Sequence, residues 1–359
     1  MKKLLCVLLS LLFIIPLGFG VNAAETEEGT LKFVAYNVSG IPIVGDFQGS
    51  GFTTTKQRAT LVGRYLNTLD VDFIGTEEDF NAHKYLAAEM ENYPNRSFTS
   101  GGLSQGQGLN VFSGHKIYNL NRVKWDFEYG TLSGSMDAVS NKGFVYCLME
   151  LAEGVYVDVI TVHMDAGYDA LSVKARASNF RQLAAYIHSN LTSGRALVVL
   201  GDFNYKFLRK LDDDLYGNLL APTGLKDVWA EVYNNGGYDA NAGGFNYDLS
   251  GDSLDRALFR SGSYMTLTPV SKTMLSFKGE NGETYTDHSP MLIEFNYVLT
   301  GREPVPEILS EPQAENETLL TIKEIIWTFI RFIQMILGLT ELPYLIGQGI
   351  DILANGKMP

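Results

Sequence analysis

Cysteine is nearly absent: the chain of 359 residues has two. Cys6 lies in a leader-like start, which leaves Cys147 alone in the apolar run GFVYCLMEL, where a lone thiol is ordinarily a small core residue. With the leader removed, no intramolecular disulfide is possible, which excludes the small disulfide-stapled class of exported domain. Positive charge is scarce too, with 28 Lys and Arg against 41 Asp and Glu and a formal net charge of −13. Nucleic-acid affinity comes largely from Lys and Arg on phosphates, so this balance disfavours a nonspecific nuclease, although a divalent cation inverts the sign locally. The stretch DANAGG resembles the start of a calcium loop, but the Glu that would complete it is missing.

What is present begins with an export signal. Lys2 and Lys3 precede an apolar stretch, Leu4–Ile15, too short for the roughly 20 residues of a membrane span, and Val21-Asn22-Ala23 offers small residues for cleavage near Ala23. The mature protein is therefore expected outside the cytosol. From residue 31 to about 298, short β-rich runs alternate with helical stretches. LKFVAYNV, VDFIGTE, GLNVFSG, GFVYCLMEL, VYVDVITVH, ALVVLGDF, LDRALFRS and MLIEFNYV read as strands, and residues 56–69 and 171–191 as helices. The hydrophobic content of 45% is ample for one large core. The chain divides into a signal peptide (1–24), a catalytic domain (25–300), a Pro/Glu-rich linker (301–318) and a hydrophobic helical tail (319–359). In the tail, Thr321, Glu324, Thr328 and Arg331 form a narrow polar stripe on an otherwise apolar helix. A transmembrane course would cost roughly 2.5–3.5 kcal/mol for each charge near the bilayer centre. A helix lying in the membrane interface is expected instead, with packing of its apolar side on the catalytic domain or on another copy of the tail as the competing arrangement.

Four separated stretches carry chemistry: LKFVAYNVSG (31–40), DFIGTEEDF (72–80), VITVHMDAG (159–167) with LVVLGDFNY (197–205), and SLDRALF (253–259) with YTDHSP (285–290). Each sets Asn, Glu, His or Asp at or just past the end of an apolar run, where side chains from several strands converge at a sheet edge. Such a set suits metal-assisted phosphodiester cleavage, in which water must lose a proton and negative charge must be stabilised. Glu78 is the best metal ligand, and Glu77 beside it is expected on the opposite face. His288 is the best general base. Asp255 is expected to orient it, leaving Asp287 for the metal, because adjacent strand residues point apart. Asp202 and Asn204 lie two apart, on one face of an extended segment, to orient water and hold a phosphoryl oxygen. His163 is placed to donate to a non-bridging oxygen or to the leaving group.

In this order, the residues resemble the endonuclease/exonuclease/phosphatase superfamily over about residues 30–298. Its opening Asn is similar to Asn37, its metal-binding Glu to Glu78 (with Glu77 in place of the usual Gln), its catalytic His to His163, its GDxN to Gly201, Asp202 and Asn204, its late Asp to Asp255, and its closing motif to Thr286-Asp287-His288-Ser289-Pro290. SNKGFVY (140–146) resembles the stretch before the histidine strand of secreted bacterial neutral sphingomyelinases, but Met164 and Asp165 depart from their Leu-Gln. The resemblance implies an α/β fold, a four-layer sandwich of two packed mixed β-sheets flanked by helices, with the hydrophobic tail added. It implies Mg²⁺ or Mn²⁺ at Asn37, Glu78 and Asp287, with His163, Asp202, Asn204, Asp255 and His288 catalytic. The expected substrate is sphingomyelin or a related phospholipid, with a membrane surface engaged by the tail. A DNase-like endonuclease and a non-catalytic membrane-surface binding protein are the alternatives.

Overall fold

Apolar, β-branched and aromatic runs bounded by Gly, Asp and Asn become strands β1 (Glu28–Asn37), β2 (Phe73–Glu77), β3 (Asn95–Arg96), β4 (Asn110–Ser113), β5 (Lys116–Lys124), β6 (Gly143–Ala152), β7 (Val155–His163), β8 (Ala196–Asp202), β9 (Lys226–Asp227), β10 (Asp255–Arg260), β11 (Met265–Met274) and β12 (Met291–Leu299). The long helices are α1 (Thr55–Asn67), α2 (Ala170–Asn190) and α3 (Glu317–Leu337). The structure, a computed structural model, describes residues 27–40, 54–129 except 104, 140–237 except 193, 208, 210 and 212, and 252–337 except 280, 281 and 283. The export signal, most of the Gly/Asn-rich loop and the end of the tail beyond residue 337 lie outside the described residues.

The strands form two mixed sheets of the same design. Their orders are β11-β12-β1-β2-β4-β3 and β5-β6-β7-β8-β10-β9. In each, the two central strands are the parallel pair, β1 with β2 and β7 with β8, and their other neighbours are antiparallel. A parallel pair needs a crossover, which α1 supplies in the first sheet and α2 in the second. Both helices start at a capped turn. The Thr54 side chain accepts from the Gln57 N–H, and the Asp169 carboxylate from the N–H groups of Leu171 and Ser172.

The sheets pack face to face around Phe33, Phe73, Val145, Val159, Val198 and Phe295. Outside the second sheet, Phe180, Leu183 and Ile187 of α2 cover Ile160, Val162 and Val199. Outside the first, Val62 and Leu66 of α1 cover Val34 and Ile74. Each such apolar side chain contributes about 1.5–3 kcal/mol when fully buried. The layers are thus helix, sheet, sheet, helix. The sheets approach most closely at Gly75, where a Cβ would lie 2.5 Å from the Thr161 Oγ1, so only glycine fits.

The strands read from the sequence appear within a few residues of their expected ends, while the two-residue β3 and β9 and the longer β5 and β11 were not expected. The two longer ones break register, β5 between Tyr118 and Asn121 and β11 between Pro269 and Ser271. A polar step or a proline inside an edge strand masks the alternation that identifies strands.

Beyond β12 the chain stays on the domain surface. Arg302 donates to the Glu153 carbonyl at 2.6 Å, Glu303 pairs with Arg195, and Asn119 donates to the Ile308 carbonyl at 3.1 Å. Helix α3 then packs with its polar stripe inward. Thr321 accepts from the Leu103 N–H at 2.9 Å, and Glu324 pairs with Lys124 and accepts from Asn141 at 2.9 Å. Arg331 pairs with Glu128 at 3.1 Å and donates to the Asp126 carbonyl at 2.7 Å. The contact with the domain is therefore made by the polar stripe with the buried Leu320 and Ile330, not by the wide apolar side that sequence reasoning had weighed for it. The lone Cys147 is a buried core thiol.

Candidate active site

The second sheet lines up three functional side chains on one hydrogen-bonded rung. His163 ends β7 and pairs with Asp202 at the end of β8, which pairs with Asp255 at the start of β10. The His163 Nε2 lies 3.5 Å from the Asp202 Oδ2. His288, just before β12, enters from the first sheet. Its Nδ1 lies 3.1 and 3.2 Å from the two Asp255 oxygens, and its Nε2 3.8 Å from the Asp202 Oδ2. The structure thus joins His288 to Asp255 and turns Asp287 away, where its carboxylate accepts from the Ser39 hydroxyl. Thr286 fixes this turn by accepting from the His288 N–H at 3.2 Å and donating to the Tyr36 hydroxyl at 2.9 Å.

Asn204 departs from the expected extended geometry. Its φ is +50°, so the run of alternating side chains stops at Asp202. The Asn204 N–H donates to the Asp202 Oδ1 at 2.9 Å, and its side-chain amide to the Met164 carbonyl at 3.1 Å. Asn204 therefore reaches the site edge through a turn rather than by sharing a strand face with Asp202.

The first sheet supplies residues from just past its strand ends. The Asn37 Nδ2 donates to the Glu78 Oε1 at 3.2 Å and to the Asp202 Oδ2 at 3.4 Å, bridging the two halves of the site. Its Oδ1 accepts from the Ser39 N–H at 3.0 Å. Ser39 and Glu78 have φ of +45° and +54°, and these left-handed turns carry the Glu78 carboxylate to a partly exposed position. Arg58 of α1 holds the cradle by donating to the carbonyls of Val38 at 2.9 Å, Tyr285 at 3.3 Å and Ser39.

Electrostatics separate the roles. Burial opposes charge on His288, but the hydrogen bond and charge of Asp255, with the charges of Asp202 and Asp287, outweigh it and raise its pKa to about 10. Burial raises Asp202 to about 6, against the attraction of His288. Burial, helped by the positive charges of Lys142 and His288, pushes His163 well below its usual value, so it is a neutral imidazole.

Glu77, Arg58 and Lys142 escaped sequence reasoning. Glu77 is fully buried, and neither of its carboxylate oxygens has a hydrogen-bond partner among the described residues. It sits against Gly201, where a Cβ would lie 2.9 Å from its Oε1. Burial, with Asp255 and Asp202 nearby, pushes its pKa well above the carboxylate range. It stands where the resembled superfamily carries Gln, and a protonated carboxyl is the nearest neutral match to that amide. Lys142, in the SNKGF run, is buried with its ammonium 3.4 Å from the Met164 carbonyl. Nothing in a single buried Lys or Arg marks it in sequence.

Among the described residues, the one group of three His or carboxylate ligand atoms all within 4.8 Å of one another belongs to Asp202, Asp255 and His288. This group is better read as a proton-handling cluster, because Asp255 holds the His288 Nδ1 at 3.1 Å and so orients the imidazole as a base. Asn37, Glu78 and Asp287 form an all-oxygen set, linked through the Asn37 amide and Ser39. Glu78 is partly exposed and Asp287 exposed beside the buried Asn37, and oxygen donors open to water on one side suit Mg²⁺ or Mn²⁺.

A family model described as Endonuclease/Exonuclease/phosphatase family 2 matches residues 72–222. A curated sphingomyelinase of Mycobacterium tuberculosis is 29% identical over 288 residues, covering 78% of this chain and 55% of that protein. The chain therefore spans about half the length of the curated relatives it matches. A mutant beta toxin from Staphylococcus aureus with bound magnesium ions aligns with a TM-score of 0.50 and 19% identity over 74% of this chain and 99% of that one. D. rerio TDP2 complexed with a single-strand DNA product aligns with a TM-score of 0.54 and 16% identity over 74% of this chain and 99% of that one. These solved structures share the fold. Residues 72–222 thus match an endonuclease/exonuclease/phosphatase model, and the chain is similar to bacterial sphingomyelinases.

Proposed function

We propose that the chain is an exported, divalent-cation-dependent phosphodiesterase acting on sphingomyelin or a related phospholipid, and that its tail meets a membrane surface. The observation that carries this reading is the convergence of His163, Asp202, Asp255 and His288 with Asn37 and Glu78 at one end of both sheets. The similarity to a curated sphingomyelinase supports the substrate class, and the Lys-containing leader supports export.

The residues divide the reaction among them. Asn37, Glu78 and Asp287 would hold a divalent cation, which would supply neutralisation of the phosphoryl oxygens. His288 accepts the proton of the attacking water, and Asp255, bonded to its Nδ1, fixes the tautomer and stabilises the imidazolium that forms. Asp287 is one of the carboxylates that keep His288 protonated. A divalent cation at Asp287 would offset that carboxylate's pull, the smallest of the three, and would favour the neutral His288 that a base requires. Neutral His163 donates its Nε2–H to a non-bridging or leaving oxygen on the side of the site where Asp202 lies 3.5 Å away. Asn204 and Lys142 converge on the Met164 carbonyl and hold the loop after β7 against the site.

Headgroup release from a panel of phospholipids, alongside DNA cleavage, in Mg²⁺ and in chelator, tests the proposal. Mg²⁺-dependent release from a choline phospholipid is expected. Full activity in chelator would refute it. Preferential cleavage of DNA would favour the nuclease reading, which the DNA-bound fold relative keeps in view and the net charge of −13 opposes.

A further inference from the structure

Docking of α3 by its polar stripe has a consequence on its other side. Leu319, Ile322, Ile325, Ile326, Phe329 and Phe332 recur at three- and four-residue spacing and form a continuous apolar ridge facing away from the domain. Ile325 and Phe329 are 61% and 62% exposed. On the loop that receives Thr321, Leu103 is exposed as well, at 81%. Exposed apolar surface on this scale marks a contact with a partner or a membrane.

We propose that this ridge is seated in a zwitterionic lipid surface, and that the polar stripe fixes the catalytic domain to that seat as one rigid body. Three observations favour a bilayer over a protein partner. Thr321, Glu324, Thr328 and Arg331 are turned to the domain, so the ridge offers apolar side chains and almost no directional contacts, as an interfacial helix does. A further 22 residues follow the helix, with the apolar runs LPYLIG and IDILA. The net charge of −13 repels anionic lipid, which leaves a zwitterionic surface as the compatible one. The seat is also tied to the site. Asn141, which donates to Glu324 and Thr328, lies two residues before Gly143, and Gly143 pairs with His163. A substrate held in the same surface then meets a catalytic site whose orientation α3 has set. The choice of a bilayer rests on the lipid-substrate reading above.

Co-sedimentation of the full chain with phosphatidylcholine vesicles in chelator measures binding without hydrolysis. Wild type is expected to partition onto these vesicles with little sensitivity to salt, and less onto phosphatidylserine vesicles at low salt. The double variant Ile325→Asp/Phe329→Asp should partition at least about tenfold less. Its thermal melt and its turnover of a soluble phosphodiester should match wild type. Equal partitioning of variant and wild type, or a preference for anionic vesicles, overturns the proposal. So does a wild type that is dimeric and indifferent to vesicles, with the variant monomeric, since the ridge would then seat a second copy. Binding that appears only after deletion of residues 338–359 would show the chain's own end covering the ridge, and also overturns it. Loss of the phosphodiesterase reading would appear instead as absent turnover with vesicle binding intact.

Discussion

The two sheets are built alike and serve the site differently. The second sheet presents His163, Asp202 and Asp255 from within its strands, on one rung, buried and held by the ladder itself. The first presents Asn37 at the last residue of a strand and Glu78, Ser39 and Asp287 beyond strand ends, with left-handed backbone at Ser39 and Glu78 and an exposed Asp287. Proton transfer benefits from the rigid, dry half, where burial and neighbouring charge set opposite protonation states on His288 and His163. A hydrated cation is better served by the wetter half, where Glu78 is partly exposed and Asp287 exposed beside the buried Asn37 and Ser39. The same strand pattern thus supplies two environments, separated by whether the chain stays in the ladder or turns out of it.

The largest expected effect breaks the dry half. His288→Ala should lose about 10²–10⁴ in turnover, the usual share of a general base, and Asp255→Asn much of that. If Asp287→Asn abolished turnover through the pH profile of the base while Asp255→Asn did not, the two carboxylates would have to exchange roles. Next, Glu78→Gln breaks the wet half. It should raise the Mg²⁺ concentration for half-maximal rate at least about tenfold, with partial rescue at high Mg²⁺. An unchanged metal requirement would remove Glu78 from the ligand set.

Two smaller effects sharpen the contrast through pH. His288 is raised above its unfolded value, so in the metal-free protein its contribution to stability is complete below about pH 6.5 and lost as pH rises towards about 10. Thermal melts in chelator across that window should show wild type losing stability and His288→Gln losing less. Glu77 is raised as well, but as an acid: folding favours its protonated form, so ionisation costs stability once pH passes its unfolded value. Glu77→Gln should therefore melt at least about 2 °C higher at pH 8 and show no gain at pH 4. A lower melting temperature at pH 8 would mean that the carboxylate is needed charged.

Much of this was legible in the sequence because strand ends announce themselves. Asn37, His163, Asp202 and Asp255 each terminate or begin an apolar β-rich run, and such runs locate the rung before any pairing is known. The partnership of His288 with Asp255 followed from alternation alone. The same rule misplaced Asn204, because it assumes extended backbone and GDFN turns left-handed at the Asn. It also put Glu77 simply on the opposite face, whereas the close approach of the sheets at Gly75 and Gly201 buries it beneath Asp202 and Asp255. The polar stripe of α3 was visible as periodicity, but periodicity does not say which side meets water. That depended on Lys124, Asn141 and Glu128 lying where Glu324 and Arg331 dock, a tertiary fact with no local signal.

Calorimetric titration of Mg²⁺ into wild type, Glu78→Gln and His288→Ala tests the division of labour most directly. The account predicts that His288→Ala binds Mg²⁺ at least as tightly as wild type, since a positive neighbour has been removed, while Glu78→Gln binds it at least about tenfold more weakly. Loss of Mg²⁺ binding in His288→Ala with retention in Glu78→Gln would contradict it, and would place the cation among Asp202, Asp255 and His288 instead.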